Sequence, residues 1–153
     1  MTAERIFEEP SISRQWVLRR LQRALTTDLA AASFQRGISK TCRRDRRAIV
    51  AALAASGESR ADRLRTLITS EGSVPYQSIG MARLGARFGG GLIGIVGAWA
   101  WAPLLRRLTE HMLQEYDLLV AFARDAPGVS ADLATHAEPL LESARSDFTA
   151  IRG

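Results

Sequence analysis

Five acidic side chains could carry metal chemistry if the fold brought them together: Asp28, Glu58, Glu110, Glu115 and Glu142. A helical bundle that binds two metal ions commonly completes each site with a Glu-x-x-His pair one helical turn apart. This chain has two histidines, His111 and His136, and leucine rather than glutamate stands three residues before each of them. One cysteine and two histidines also cannot supply a four-ligand zinc site without carboxylates. The residue types therefore do not predict a standard metal centre.

Positive charge is carried almost entirely by arginine, because Lys40 is the only lysine among 21 basic residues. The densest group lies in the basic segment, residues 43–47, which contains Arg43, Arg44, Arg46 and Arg47. We expect this segment either to be a solvated surface or to contact anionic phospholipid headgroups, where each basic residue contributes about 1 kcal/mol. No nucleic-acid recognition motif accompanies the charge, so nucleic acid is not an expected partner.

Residues 88–105 contain no charged side chain and form the most apolar stretch of the chain. In a helix over about 78–101, the small residues Gly90 and Gly94 would share a row that another backbone can approach closely. Pro103 interrupts the stretch, which is only marginally long enough to span a bilayer, since spanning takes about 20 residues. We therefore predict a buried or membrane-embedded helix. Its apolar groove or membrane contact is predicted to comprise Phe88, Gly90, Leu92, Gly94, Trp99 and Trp101.

Apolar residues recur at helical spacing along most of the chain and predict helices over about 14–37, 43–70, 78–101, 104–124 and 130–151. Gly37 is a plausible stop for the first helix, and Gly57 could kink the second. No convincing strand pattern occurs. The predicted class is all-α, an antiparallel bundle of four to five helices, with residues 13–153 as one domain behind a polar arm at 1–12.

Four segments in order give the chain a family resemblance: LQRALTTDLAAASFQRGI, LGARFGGGLIGIVGA, LTEHMLQEYDLL and ESARSDF. Over residues 18–148 this order resembles the demethoxyubiquinone hydroxylases, ferritin-like di-iron enzymes of ubiquinone synthesis. The resemblance implies a ferritin-like bundle that touches a membrane through the glycine-rich helix. It places Asp28 at the first metal-ligand position of the family and Glu110 near the mid-chain metal ligand. Tyr116, Glu142 and Asp147 match residues of the family's motifs.

Arginine stands at three positions where the resemblance implies metal ligands. Arg145 replaces a histidine of the last helix, and Arg60 and Arg63 occupy the Glu-x-x-His positions of the second helix. Guanidinium groups stay protonated and pair well with carboxylates. We therefore predict that an internal arginine and carboxylate network replaces the metals, the alternative being that these charges face solvent. The predicted members are Asp28, Arg60, Arg63, Glu110, Glu142 and Arg145.

Three functions remain open at this stage. The first is a metal-free relative of the demethoxyubiquinone hydroxylases, without catalytic residues or cofactor, which lies on the cytoplasmic side of the inner membrane and binds a quinone or lipid or acts as a scaffold. The second is a monooxygenase with two iron ions held by the five carboxylates named at the outset. The third is an interaction module whose small-residue row forms a homodimer or partner interface without a small ligand.

Overall fold

The computed structural model describes residues 12–76, 80–125 and 131–152, and this part of the chain is helical without strands. The helices are α1 Ile12–Thr41, α2 Arg44–Ser70, α3 Gly80–Val96, α4 Ala98–Asp125 and α5 Ala131–Arg152. The predicted all-α bundle is confirmed. Residues 1–11 of the predicted polar arm lie outside the described residues.

Helices α1 and α2 form an antiparallel hairpin, because only Cys42 and Arg43 separate them. Helix α1 is also antiparallel to α4. Trp16, near the start of α1, contacts Phe122 in the second half of α4, with ring centroids 4.0 Å apart. Near the other end of α1, Phe34 packs on the buried cluster that contains Trp101 from the first turn of α4. Helices α2 and α4 therefore run in the same direction.

Helix α3 connects these two helices by running back along α1, parallel to it. Near the start of α3, Arg83 donates a hydrogen bond to Ser33 of α1 at 3.3 Å. One turn from the end of α3, the carbonyl of Gly91 accepts a hydrogen bond from Thr41 at 2.7 Å. Four helices, α1, α2, α4 and α5, thus surround the main core, and α3 lies on the outer side of α1.

The core has two buried clusters. The larger one joins α1, α2, α4 and α5, and its fully buried side chains include Leu21, Leu25, Leu64, Tyr116 and Leu140. The smaller one closes the end of the bundle near the α1–α2 turn and contains Ile38, Cys42, Val50, Leu53, Trp101 and Leu105. Burying a large aliphatic side chain contributes about 1.5 to 3 kcal/mol. These two clusters therefore supply the main stabilisation and fix the side chains between them.

Three helix boundaries differ from the predicted ones. Helix α4 starts at Ala98 instead of residue 104, and glycine explains the other two, the ends of α1 and α3. Helix α1 continues past Gly37 to Thr41, because Gly37 packs against the backbone of α3 instead of ending the helix. Helix α3 ends at Val96, before Trp101, because Gly97 has a φ of 122°. A side chain rarely adopts that backbone conformation. Pro103 then lies inside α4, near its start.

Gly57 does not break α2, contrary to one of the predicted alternatives. It is buried, and a Cβ at this position would lie 3.5 Å from the Cβ of Ala32 and 3.6 Å from the carbonyl oxygen of Asp28. These are ordinary van der Waals distances, so Gly57 lies inside a normally packed contact between α1 and α2 beside Asp28.

Candidate functional site

A buried ion pair joins α1 to α2 at the centre of the bundle. Arg60 follows Leu53 and Gly57 on the buried side of α2, and its side chain is only 7% exposed. Asp28 on α1 is fully buried. The Nη2 atom of Arg60 donates to Oδ1 of Asp28 at 3.0 Å, and Nε donates to the same oxygen at 3.2 Å. Two donors of one guanidinium thus hold one carboxylate, which fixes both side chains.

The same guanidinium also binds α5. Its Nη1 atom donates to Oδ2 of Asp147 at 2.6 Å and to Oγ of Ser143 at 3.1 Å. Ser56, one turn before Arg60, lies 3.1 Å from both Nη1 and the Ser143 hydroxyl. Arg60 therefore lies between two carboxylates that come from opposite ends of the chain.

Tyr116 brings α4 into the same cluster. Its hydroxyl donates a hydrogen bond to Oδ2 of Asp28, and its ring lies 5.9 Å from the guanidinium carbon of Arg60. We call the resulting group the Arg60 network, and its members are Asp28, Ser56, Arg60, Tyr116, Ser143 and Asp147. The network connects all four helices that surround the main core.

Burial and pairing shift the pKa values of the three innermost groups. Burial raises the pKa of Asp28, and this effect outweighs the opposing attraction of Arg60. Burial, together with the Asp28 charge, raises the pKa of Tyr116, so its hydroxyl remains a donor. Burial alone would lower the pKa of Arg60, but the charges of Asp28 and Asp147 outweigh it and raise that pKa. Arg60 therefore stays cationic.

The Arg60 network is suited to holding the bundle together and leaves little room for a substrate. Within the described ranges, every buried side-chain nitrogen or oxygen has a hydrogen-bond partner. The adjoining cavity, between Asp28, Gly57 and Thr109, has a volume of about 10 Å³. That volume corresponds to about one water molecule.

The structure corrects the membership of the predicted network. Asp28 and Arg60 lie in it, but Arg63 is exposed on α2 and Glu110 is exposed on α4. Glu142 and Arg145 are exposed on α5, where they pair with each other at 2.8 Å. These four side chains lie on the solvent faces of their helices, because the apolar stripes of those helices point to the core.

Ser56, Tyr116, Ser143 and Asp147 are absent from the predicted network, although the resemblance had matched Tyr116 and Asp147 to residues of the family. Ser143 and Asp147 both come from α5. The buried positions of α5 are Leu133, Ala137, Leu140, Leu141 and Ala144, which recur at helical spacing. Continuing this stripe by one turn reaches Asp147, and Ser143 borders it. The stripe could have identified both, whereas the family resemblance directed attention to Glu142 and Arg145.

The five carboxylates considered as iron ligands do not converge. Glu58 pairs with Arg36 at 2.9 Å, and Glu115 pairs with Arg20 at 3.0 Å. The hydrogen bond from Arg36 lowers the pKa of Glu58. Among the residues that the structure describes, no three His, Cys, Asp or Glu side chains are grouped to hold a metal ion.

Helix α3 presents a second candidate site, an outward stripe of large apolar side chains. We call this stripe the apolar α3 face. Its members are Leu84, Phe88, Leu92, Ile95 and Val96 of α3, together with Trp99 from the first turn of α4. Their exposed fractions run from 55% at Val96 to 78% at Trp99. Monomeric proteins rarely expose a contiguous apolar patch of this kind unless it binds something.

The opposite side of α3 is closed beside Gly90 and Gly94, which corrects the predicted placement of these two glycines in an apolar groove. Gly90 and Gly94 are buried against the backbone of α1, at Phe34 and Ile38 respectively, so no space for a ligand remains beside them. Trp101 is also absent from the apolar α3 face, because it is 7% exposed and belongs to the smaller core cluster. The predicted contacts Phe88, Leu92 and Trp99 remain on the surface.

Cationic side chains border the apolar α3 face. A shallow groove along its edge is lined by Lys40 of α1 and Arg87 of α3, together with Leu84, Phe88 and Leu92. Lys40 lies three residues before the start of the basic segment, where Arg43, Arg44, Arg46 and Arg47 are all exposed. A large apolar stripe and a basic border thus lie at the same end of the molecule.

No protein family, curated protein or solved structure is significantly similar to this chain. The resemblance to the demethoxyubiquinone hydroxylases therefore stays a prediction. None of the described helices has the length and apolar character needed to cross a membrane.

Proposed function

We propose that this protein binds the surface of an anionic membrane through the apolar α3 face and the basic side chains beside it. The observation that carries the proposal is the exposure of five large apolar side chains on one face of α3 and of Trp99 in the first turn of α4. An interfacial helix buries such a face at the boundary between headgroups and acyl chains, and its basic flank attracts anionic lipids.

The apolar side chains of the α3 face and the cations beside it suit the boundary between headgroups and acyl chains. Each large apolar side chain that leaves water contributes about 1.5 to 3 kcal/mol, and each nearby cation adds about 1 kcal/mol at an anionic surface. Trp99, the most exposed of the six, follows Gly97 at the tip of the α3–α4 turn. Tryptophan is enriched at membrane interfaces, where its ring meets the headgroups.

The proposal includes the predicted relationship to the demethoxyubiquinone hydroxylases, as a metal-free ferritin-like protein that binds a quinone or lipid, or acts as a scaffold, on the cytoplasmic side of the inner membrane. Helices α2 and α4 run in one direction with α3 as the long connection, and a bundle with one long crossover is typical of ferritin-like folds. The Arg60 network, which has an arginine where the resemblance implies a metal ligand, is consistent with the loss of metal.

The membrane proposal predicts that Leu92→Ser weakens binding to vesicles of phosphatidylglycerol and phosphatidylcholine by about tenfold or more, because one large apolar contact is lost. Vesicle flotation measures the bound fraction. Leu118→Ser is the matched control, since Leu118 is similarly exposed, at 51% against 56%, but lies on α4. Equal binding by the two variants would contradict the proposal.

Homodimer formation through the apolar α3 face is the main alternative to membrane binding. Sedimentation equilibrium without lipid measures self-association and so distinguishes it from membrane binding. A dimer that dissociates in Leu92→Ser, together with no flotation of the parent protein, would replace membrane binding by self-association.

The metal-free part of the proposal predicts close to zero iron per chain in protein purified from iron-supplemented cells. Elemental analysis gives this value directly. About two iron atoms per chain would instead favour the di-iron monooxygenase, because that enzyme class holds two metals in one bundle.

A further inference from the structure

A pocket of about 320 Å³ opens between α2, α4 and α5 at the end of the bundle near the basic segment. Ligand pockets in proteins begin at about 300 Å³, so this volume suits a small ligand or one chain of a lipid. The floor consists of the buried side chains of Val50, Leu53, Trp101 and Leu105, which belong to the smaller core cluster. The pocket is therefore an apolar opening into the core.

Three arginines from three helices stand around this opening: Arg46 of α2, Arg106 of α4 and Arg152 of α5. All three are exposed. The twelve residues that line the pocket include no acidic side chain. The nearest carboxylate of the basic segment, Asp45, is exposed and lies 4.0 Å from Arg46, which makes it a weak competitor for that guanidinium.

We infer that this pocket binds an amphiphile with one alkyl chain and an anionic head. The apolar floor takes the chain, and the guanidinium groups take the head, since arginine binds carboxylate and phosphate oxygens well. A neutral quinone ring would leave the three cations unpaired, and an inorganic anion would leave the apolar floor in contact with water.

The inference deepens the proposed function and rests on it for the source of the ligand. Arg46 belongs both to the pocket and to the basic segment. A protein docked by that segment would hold the opening close to anionic lipids. The same chemistry is offered by a free fatty acid and by an acyl chain of a membrane phospholipid, and the experiment separates these two sources.

Quenching of Trp101 fluorescence tests the inference directly, because bromine quenches only on close approach. Trp16→Phe with Trp99→Phe leaves Trp101 as the single tryptophan of this parent variant. We expect saturable quenching by monomeric dibromostearate, and about tenfold weaker quenching by the matching neutral alcohol, which lacks the charge-assisted bonds. No quenching by either the free acid or brominated phosphatidylglycerol vesicles would overturn the inference.

Two pocket variants and one control variant locate the ligand. Ala150→Phe fills the opening from an exposed position of α5 and is expected to abolish the quenching. Arg106→Gln is expected to weaken dibromostearate binding by about tenfold, whereas Arg107→Gln, an exposed neighbour that does not line the pocket, leaves it unchanged. Equal quenching in Ala150→Phe and the parent would overturn the inference.

Vesicle flotation of the unsubstituted protein, which keeps Trp99 in the apolar α3 face, separates this inference from the membrane proposal. Flotation of that protein without any quenching in the single-tryptophan variant would overturn the pocket ligand and leave membrane binding intact. Quenching by the free acid without flotation would support the pocket, identify a free fatty acid as the source, and count against membrane binding.

Discussion

Replacing Arg60 by glutamine is expected to lower the free energy of unfolding by about 3 to 5 kcal/mol, the usual effect of removing one partner from a buried ion pair. The substitution leaves Asp28 fully buried, and Asp147 largely buried, without their cation. It also removes the donors that satisfy Ser56 and Ser143. Urea denaturation followed by circular dichroism measures the loss.

Arg145→Gln provides the control for Arg60→Gln. Arg145 also pairs with a carboxylate, Glu142, but its side chain is 51% exposed, and exposed ion pairs contribute about 0 to 1 kcal/mol. Similar losses in the two variants would contradict the buried network. If Arg60→Gln does not fold, Tyr116→Phe keeps the ring and removes only the hydroxyl that binds Asp28, at an expected loss of about 1 to 3 kcal/mol.

Adding a methyl group at both Gly90 and Gly94 is expected to destabilise the protein by about 2 to 6 kcal/mol, at about 1 to 3 kcal/mol for each overpacked site. A Cβ at Gly90 would overlap the carbonyl oxygen of Phe34, and one at Gly94 would overlap the hydroxyl of Thr41. The backbone at Phe34 cannot move aside without shifting α1. Urea denaturation measures the change.

Gly85→Ala with Gly89→Ala is the matched double variant on the same helix. A Cβ at either position has nothing within 4 Å. Alanine is favoured over glycine in a helix by about 1 kcal/mol, so this variant is expected to be more stable than the parent. Stabilisation by both double variants would show that α3 does not pack on α1 through its glycines.

The sequence predicted the existence of all five helices but not the ends of α1 and α3 or the start of α4. Periodic apolar residues define a helix over many positions, and α2 accordingly begins within one residue of its predicted start. A single glycine has no periodicity that would reveal whether it lies inside a helix or ends one. Gly37 and Gly97 look alike in the sequence, yet one lies against α3 inside a helix and the other takes a positive φ between helices. Only the neighbouring helix decides between these roles.

Part of the Arg60 network could also be predicted. Asp28 and Arg60 were expected to meet, whereas Arg63 lies one turn from Arg60 and points to solvent. Tyr116 and Asp147 each continue an apolar stripe toward the core, a signal available in the sequence. Their contacts with Asp28 and Arg60 depend on how four helices pack, which the periodicity of each separate helix does not specify.

The Arg60 network also sets the order in which the chain can be completed during synthesis. Asp28 and Arg60 lie 32 residues apart, but Asp147 follows Arg60 by 87 residues. At translation rates of about 5 to 20 residues per second, the α1–α2 hairpin waits roughly 4 to 17 s for the second carboxylate. During that interval Arg60 stays hydrated, and the apolar sides of both helices have no α5 to cover them. The nascent chain therefore passes through a half-bundle with exposed apolar surface, and the Arg60 network is complete only once α5 has been made.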